Sequence, residues 1–226
     1  MAARPFLSFA LLLTAGLSGM SPAWAQESPA TPAATPGAPP VAASPVQADL
    51  ENLLYLDLST GGRVTIQLYP QLAPAHVERI KTLARSGFYD GIIFHRVIEG
   101  FMAQTGDPTG TGAGDSDLPD LKAEFNPAPH LRGTVSMART DDENSANSQF
   151  FICFQPRYSL DNKYTVFGRV TGGMAFVDSI ARGEPAERPD RIVQASVAAD
   201  GKPAPAAAPA ESDAAPITAP PISISG

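Results

Sequence analysis

Residues 94–112 read FHRVIEGFMAQTGDPTGTG, in which two short apolar runs are followed by a glycine-rich stretch. The runs FHRVI (94–98) and FMAQT (101–105) are rich in aromatic and aliphatic residues, and the Glu99-Gly100 pair between them is a typical turn sequence. The segment therefore predicts a β-hairpin.

Six further apolar runs outside this hairpin also predict β-strands. Alternating residues at 54–58 and 64–68 surround the turn sequence STGG, which indicates a second hairpin. The other four strands are predicted at 134–138 (TVSMA), 149–154 (QFFICF), 164–170 (YTVFGRV) and 191–197 (RIVQASV). A connection as long as 106–133 inside a domain is usually functional or mobile.

Two helices complete the predicted elements. Apolar residues at helical spacing predict a helix over 74–85, with Pro74 in its first turn and Gly87 at its C-terminal cap, although Ala73 supplies no side-chain N-cap. A second, shorter helix is predicted after Gly172-Gly173. Many short strands, two helices and no regular β-α alternation indicate an antiparallel sheet or barrel with capping helices.

Proline usage divides the 226-residue chain into one globular segment and two tails. Residues 26–48 and 199–226 hold six prolines each, whereas the 150 residues of 49–198 hold nine. The two tails are rich in Ala, Pro and Ser and lack the apolar content of a core, so we predict disordered linkers there. A domain of the size of 49–198 buries enough surface to form a core without disulfides.

The first 25 residues have the three parts of a secretory signal peptide. Arg4 gives a positive start, an apolar run of about twelve residues follows, and Ala23-Trp24-Ala25 offers a cleavage site before Gln26. The alternative, a membrane anchor, needs about twenty apolar residues. We therefore predict export to the periplasm, with secretion from the cell as the second choice, and no membrane segment after processing.

Composition and motifs exclude several function classes. The net charge of −7 argues against nucleic-acid binding as the main role. The sequence holds no nucleophile elbow, phosphate-binding loop or HExxH zinc motif, and its three histidines have no second ligand at metal spacing. Cys153, in an apolar run without basic neighbours, is interpreted as a buried structural cysteine. No metal and no cofactor are predicted.

Isolated polar groups remain among large apolar side chains. Arg96 is placed on one strand face with Phe94, and Gln104 on the face of Met102 in the next strand. Burying such groups without partners costs about 1–3 kcal/mol, so their presence calls for a reason. Two interpretations stay open on pattern alone: an internal network that only stabilises the fold, and an apolar groove with an arginine donor.

Three blocks of the sequence closely resemble the cyclophilin family of peptidyl-prolyl cis-trans isomerases. These are FHRVIEGFMAQTGDPTGTG (94–112), SANSQFFI (145–152) and LDNKYTVFGRV (160–170), and the resemblance extends from about residue 50 to 197. It implies a mainly β fold, a closed eight-stranded antiparallel β-barrel capped by two α-helices.

The resemblance also implies a set of site residues. Arg96 corresponds to the catalytic arginine, and Gln104 to the amide that orients it and contacts substrate backbone. Phe101 is grouped with these two as catalytic, because it forms the pocket for the substrate proline together with Met102 and Phe151. The rest of the groove is implied to comprise Ala138, Arg139, Gln149, Leu160 and Tyr164.

Three positions depart from the pattern of the family. Arg139 stands where most members have asparagine, and Tyr164 where many have histidine. Ser159 stands where the best-known members carry tryptophan, with Tyr158 beside it.

The implied activity is acceleration of X-Pro isomerisation in exported proteins during folding, without covalent or acid/base steps. The implied partners are proline-containing peptides and unfolded proteins, and the protein is expected to act as a monomer. Two rival hypotheses are a non-catalytic peptide-binding or chaperone module that uses the same groove, and a secreted structural domain. Replacement of Arg96 or Phe101 would favour the first rival, but both residues are present.

Overall fold

The structure is a computed structural model that describes residues 49–205. Its eight strands are β1 (Leu53–Leu58), β2 (Arg63–Leu68), β3 (Arg96–Ile98), β4 (Met102–Thr105), β5 (Thr134–Met137), β6 (Phe150–Cys153), β7 (Val166–Gly172) and β8 (Ile192–Val197). The helices are α1 (Pro74–Arg85) and α2 (Met174–Asp178), and single 3-10 turns cover Leu50–Asn52, Tyr158–Leu160 and Ala198–Asp200.

The first hairpin shows how alternation in the sequence becomes a core. In β2, Val64, Ile66 and Leu68 are buried while the residues between them are half-buried. Leu56 pairs with Val64 across the hairpin, so the apolar side chains of both strands lie on one face. This face forms the main core together with α1.

All eight strands form one antiparallel sheet in the order β3-β4-β6-β5-β7-β2-β1-β8. The predicted closed barrel is wrong in one respect: the sheet is curled but open, since β3 and β8 are its two edges. Near this gap, residues 91–94, which precede β3, form an isolated bridge between Ile93 and Arg191 and three backbone hydrogen bonds with residues 190–192. The edge strand β3 has only three residues, too few to continue the ladder into β8.

Helix α1 begins and ends where the sequence predicts, at Pro74 and Arg85. The missing N-cap is replaced by a carboxylate from 48 residues further along the chain: Glu124 accepts hydrogen bonds from the backbone N–H groups of Ala75 (3.2 Å) and His76 (3.1 Å) and contacts His76 Nδ1 at 2.6 Å. A carboxylate at this end also interacts favourably with the helix dipole. Long-range capping therefore ties α1 to the connection 106–133.

Replacing Glu124 with alanine should lower the free energy of unfolding at pH 7 by about 1–2 kcal/mol, the usual cost of a lost N-cap. Burial opposes ionisation of Glu124, but the hydrogen bond from His76 and the two backbone N–H bonds hold its pKa below the usual range. Burial likewise lowers the pKa of His76. Both groups therefore stabilise the fold above their unfolded pKa values, about 4.3 and 6.5, and this contribution is lost as the pH falls.

Urea unfolding at pH 7 and pH 4 measures this effect. Loss of the Glu124 contact should reduce the difference in stability between the two pH values. The matched control is Glu78→Ala on the same helix, since Glu78 is exposed and, among the described residues, pairs only with Lys81, at 3.7 Å. Equal losses for the two variants would contradict the capping role of Glu124.

The first part of the connection 106–133 is stabilised by hydrogen bonds to one of its own side chains. The Asp107 carboxylate accepts hydrogen bonds from Thr109 N and Oγ1 at 2.7 Å each, and from Gly112 N at 2.6 Å. Burial opposes its ionisation, yet these donors hold its pKa at about 2. Gly106 has φ of +93°, and a Cβ there would clash with the Ser148 carbonyl, so the turn requires glycine. The first part of the connection is thus fixed beside β4 and β6.

The chain termini are described only in part. The predicted signal peptide 1–25 and linker 26–48 lie outside the described residues. Beyond the predicted domain end at 198, the turn Ala198–Asp200 packs near β1, and Asp200 accepts hydrogen bonds from Arg85. Within 49–205 no helix has the length and apolar character needed to cross a membrane.

Candidate active site

A cavity of about 410 Å³ opens on the face of the sheet opposite the main core. Nine of the ten predicted site residues line it: Arg96, Phe101, Met102, Gln104, Ala138, Arg139, Phe151, Leu160 and Tyr164. The tenth, Gln149, lies in an adjoining cavity. The residues come from five separate stretches of sequence, and the fold brings them together.

Strand register explains how β3, β4 and β6 build the cavity floor. Arg96 pairs with Gln104, which pairs in turn with Phe151, and Met102 pairs with Cys153. Because side chains opposite each other in a sheet lie on the same face, these groups form one row. Met102, Phe151 and Cys153 are buried there in an apolar cluster separate from the main core.

The prediction that Arg96 and Phe94 lie on the same face of one strand is wrong. Phe94 is completely buried in the main core, whereas the Arg96 side chain is 41% exposed at the cavity. The alternation fails because β3 begins only at Arg96, so Phe94 lies before the regular strand.

Arg96 is held by a carboxylate. Its Nε donates a hydrogen bond to Glu184 Oε2 at 3.0 Å, and within residues 49–205 its two terminal nitrogens have no hydrogen-bond partner. Gln104 lies opposite Arg96 on the neighbouring strand, but within residues 49–205 the two side chains share no hydrogen bond. The Gln104 Nε2 instead donates to Gln149 Oε1 at 3.0 Å. The two amides form a pair beside the arginine.

A second cavity of about 400 Å³ adjoins the first, and the two share Gln104, Ala138 and Arg139 in their walls. Gln149 lines this cavity and donates to the carbonyls of Gly112 (3.2 Å) and Gly114 (2.8 Å). The two cavities therefore form a continuous groove, with the amide pair at the point where they meet.

Arg139 forms the wall opposite β3 and is fully engaged there. Its guanidinium lies over the Tyr164 ring, 4.7 Å from the centroid, and donates to the carbonyls of Lys163 and Thr140. Ala138 presents its backbone, with its N–H donating to the Gln149 carbonyl at 2.9 Å. Leu160 completes this side from the turn Tyr158–Leu160.

Aromatic contacts support the cavity from behind. The buried His130 ring stacks on Phe151 with centroids 6.1 Å apart, and Tyr164 meets Phe151 edge-on at 5.9 Å. His130 also contacts Asp161 Oδ1 at 2.9 Å and Ser136 Oγ at 3.1 Å. Phe151 is thus fixed on several sides. Burial raises the pKa of Cys153 to about 12, which makes it a poor nucleophile.

Sequence reasoning missed Glu184, His130 and Arg157. Arg157 lies over the Phe101 ring at 4.9 Å and so covers the outer edge of the cavity. Glu184 is 88 positions from Arg96, and no local motif signals such a pair. Within the described part of the chain no group of three or more His, Cys, Asp or Glu residues is placed to hold a metal ion.

Comparison with known proteins agrees with this geometry. The family model for the cyclophilin type peptidyl-prolyl cis-trans isomerase/CLD matches residues 55–197. A "Probable peptidyl-prolyl cis-trans isomerase" of Brucella suis biovar 1 (strain 1330) is 48% identical over 171 residues, covering 69% of this chain and 87% of the relative. Peptidyl-prolyl cis-trans isomerase B of Bacillus subtilis (strain 168) is 41% identical over 131 residues, covering 58% and 91%.

A solved structure shows the same fold. The cyclophilin AquaCyp293 from Hirschia baltica superposes with a TM-score of 0.62 at 34% identity, covering 67% of this chain and 76% of that one. The matched family segment includes the whole row of site residues from Arg96 to Tyr164. This chain belongs to the cyclophilin-type peptidyl-prolyl cis-trans isomerases.

Proposed function

We propose that the enzyme accelerates X-Pro isomerisation in exported proteins by electrostatic stabilisation of the twisted amide. The supporting observation is the half-exposed guanidinium of Arg96 at the edge of an apolar cavity formed by Phe101, Met102 and Phe151. Among the described residues, no carboxylate, imidazole or thiol lines that cavity: its lining side chains are two arginines, an amide, a phenol, two phenylalanine rings and aliphatic groups that include the Met102 thioether.

The reaction explains why these groups suffice. Isomerisation breaks no bond, and its barrier of about 18–20 kcal/mol is the loss of amide resonance. In the twisted state the prolyl nitrogen regains a lone pair. A fixed N–H donor aimed at that nitrogen stabilises the transition state more than either planar ground state. Arginine supplies such donors without titrating near neutral pH.

The cavity would hold the proline ring while the acyl side rotates. The buried ring of Phe151, supported by His130 and Tyr164, provides a rigid apolar wall for the ring. The adjoining cavity gives the residues before the proline a place beside Gln104 and Gln149. Proline-containing peptides and unfolded chains are the substrates that this groove would accept.

NMR exchange spectroscopy on a short X-Pro peptide tests the catalytic proposal. Addition of the protein in catalytic amounts should produce cis-trans exchange within seconds, against tens to hundreds of seconds without it. Binding of the peptide without added exchange would instead favour the peptide-binding or chaperone alternative. A peptide that neither binds nor exchanges would favour the structural domain.

Export to the periplasm is part of the same proposal. It rests on the signal-like sequence of residues 1–25. The mature protein should begin near Gln26, which N-terminal mass analysis of protein from the periplasmic fraction can determine. Protein that retains residues 1–25 in the cytoplasmic fraction would contradict export.

We further propose that the protein acts as a monomer, because the ten predicted site residues come together within a single chain and need no second copy to complete the groove. Light scattering on the purified protein should give a mass close to that of one processed chain. A stable dimer would contradict this expectation.

A further inference from the structure

Glu184 is a half-exposed carboxylate that contacts the guanidinium at the centre of the proposed mechanism. Its Oε2 accepts from Arg96 Nε at 3.0 Å, and the Glu184 and Arg96 side chains are 55% and 41% exposed. Nε lies on one edge of the guanidinium, so this contact leaves the two terminal nitrogens available to a substrate.

The backbone places Glu184 directly beside the strand that carries Arg96. Gly183 and Val97 exchange two hydrogen bonds, Val97 N to Gly183 O at 2.8 Å and Gly183 N to Val97 O at 3.0 Å. Gly183 has φ of +151°, and an added Cβ would clash with the backbone of Ala186. The chain therefore turns sharply at glycine, and the next residue is held against β3.

Neighbouring contacts fix the same segment on its other side. Arg182 donates from Nε to Glu99 Oε2 at 2.6 Å and lies over the Phe154 ring at 4.3 Å. The Asp190 side chain accepts from Ala181 N at 2.8 Å. Glu184 is thus a carboxylate on an anchored loop, although its own side chain reaches solvent.

We infer that Glu184 is a positioning residue for Arg96, which holds the guanidinium by its Nε edge and directs the remaining N–H groups to the prolyl nitrogen. This inference rests on the proposed electrostatic mechanism. Within residues 49–205 the Gln104 side chain makes no hydrogen bond to Arg96, and the side-chain acceptor that Arg96 reaches is Glu184. Glu184 acts through Arg96 and does not touch the substrate.

Three single variants of the full chain separate positioning from general effects. Glu184→Ala removes the acceptor, and bound-state exchange of an X-Pro peptide should slow about threefold to fivefold, the range a surface ion pair allows, with peptide Kd within about twofold. Glu184→Gln keeps an oxygen acceptor and should retain most of the rate. Glu187→Ala is the matched control, since Glu187 is an exposed carboxylate of the same loop that makes no hydrogen bond or ion pair within the described residues.

A double variant, with Glu184→Ala added to Arg96→Ala, provides the decisive test. In Arg96→Ala, additional loss of Glu184 should change the exchange rate by less than about twofold, because a residue that acts only through Arg96 has nothing left to position. The ¹⁵N–¹H signal of Arg96 Nε should also shift in Glu184→Ala and stay in place in Glu187→Ala.

Several outcomes would overturn the inference. Faster exchange in Glu184→Ala would show that the carboxylate competes with the substrate for Arg96. Equal slowing in Glu187→Ala would show a general effect of the loop, and a full additive loss in the Arg96→Ala background would show action elsewhere. A wild-type protein without catalysed exchange defeats the proposed function itself, whereas wild-type exchange with an unchanged Glu184→Ala variant defeats only this inference.

Discussion

Replacing Arg96 with alanine is expected to lower the rate of peptide exchange about 10²–10³-fold, the usual cost of one preorganised transition-state donor. Peptide affinity should change far less, because the apolar side chains of Phe101, Met102 and Phe151 remain in place. The reason is that Arg96 contributes its hydrogen bond mainly when the prolyl nitrogen is pyramidal. Arg96 is partly exposed, so the variant should keep its fold.

Lysine at position 96 should rescue poorly. An ammonium group is a compact point charge and lacks the planar fork that Glu184 holds by one edge. Exchange should be nearly independent of pH between about 6 and 8, since the mechanism uses no proton transfer. A rate that varied with pH in this range would instead indicate a proton-transfer step that the mechanism does not include.

Replacing Phe151 with alanine is expected to give the opposite signature, with a large loss of affinity and of stability. Phe151 is 5% exposed and contacts the rings of His130 and Tyr164. Loss of a buried phenylalanine costs about 3–5 kcal/mol of unfolding free energy. Loss of the apolar wall should also weaken peptide binding about tenfold or more. Urea unfolding and NMR titration measure the two effects.

A milder pair of variants keeps this prediction testable if alanine prevents folding. Phe151→Leu and Phe150→Leu change adjacent residues of β6, but Phe150 faces the main core and not the cavity. Both variants should lose stability, and only Phe151→Leu should weaken binding. Equal affinities in these two variants would contradict the assignment of Phe151 to the proline pocket.

Local sequence patterns predicted most of the elements correctly. The limits of α1 are those predicted, and strands β1 and β2 each begin one residue earlier than predicted and end where predicted. These elements carry strong local signals: a period of two around Gly61, a period of 3.6 after Pro74, and a glycine at the cap.

Long-range features were the ones that local patterns missed. The N-cap of α1 comes from Glu124, and the partner of Arg96 is Glu184. Whether the sheet closes between β3 and β8 depends on how many residues of β3 can pair with β8, and β3 has only three residues. Each of these results from contacts between residues far apart in sequence, which single-sequence periodicity does not encode.

The sequence predicted which residues line the candidate site, but it did not predict the hydrogen bonds between their side chains. The resemblance brought together the residues that line the groove, and the register of β3, β4 and β6 accounts for their proximity. The resemblance implied that Gln104 orients Arg96, whereas in the structure the Gln104 side chain donates a hydrogen bond to Gln149. The hydrogen-bond partner of Arg96 can be an amide or a carboxylate without any visible change in the sequence motif around Arg96.

The most direct test of the electrostatic mechanism is exchange spectroscopy at saturating X-Pro peptide, because it measures the cis-trans rate of the bound peptide alone. For Arg96→Ala the mechanism predicts a bound-state rate about 10²–10³-fold below that of the wild-type protein, at a Kd within a few-fold of the wild-type value. An unchanged bound-state rate in Arg96→Ala would contradict the mechanism and remove Arg96 from catalysis.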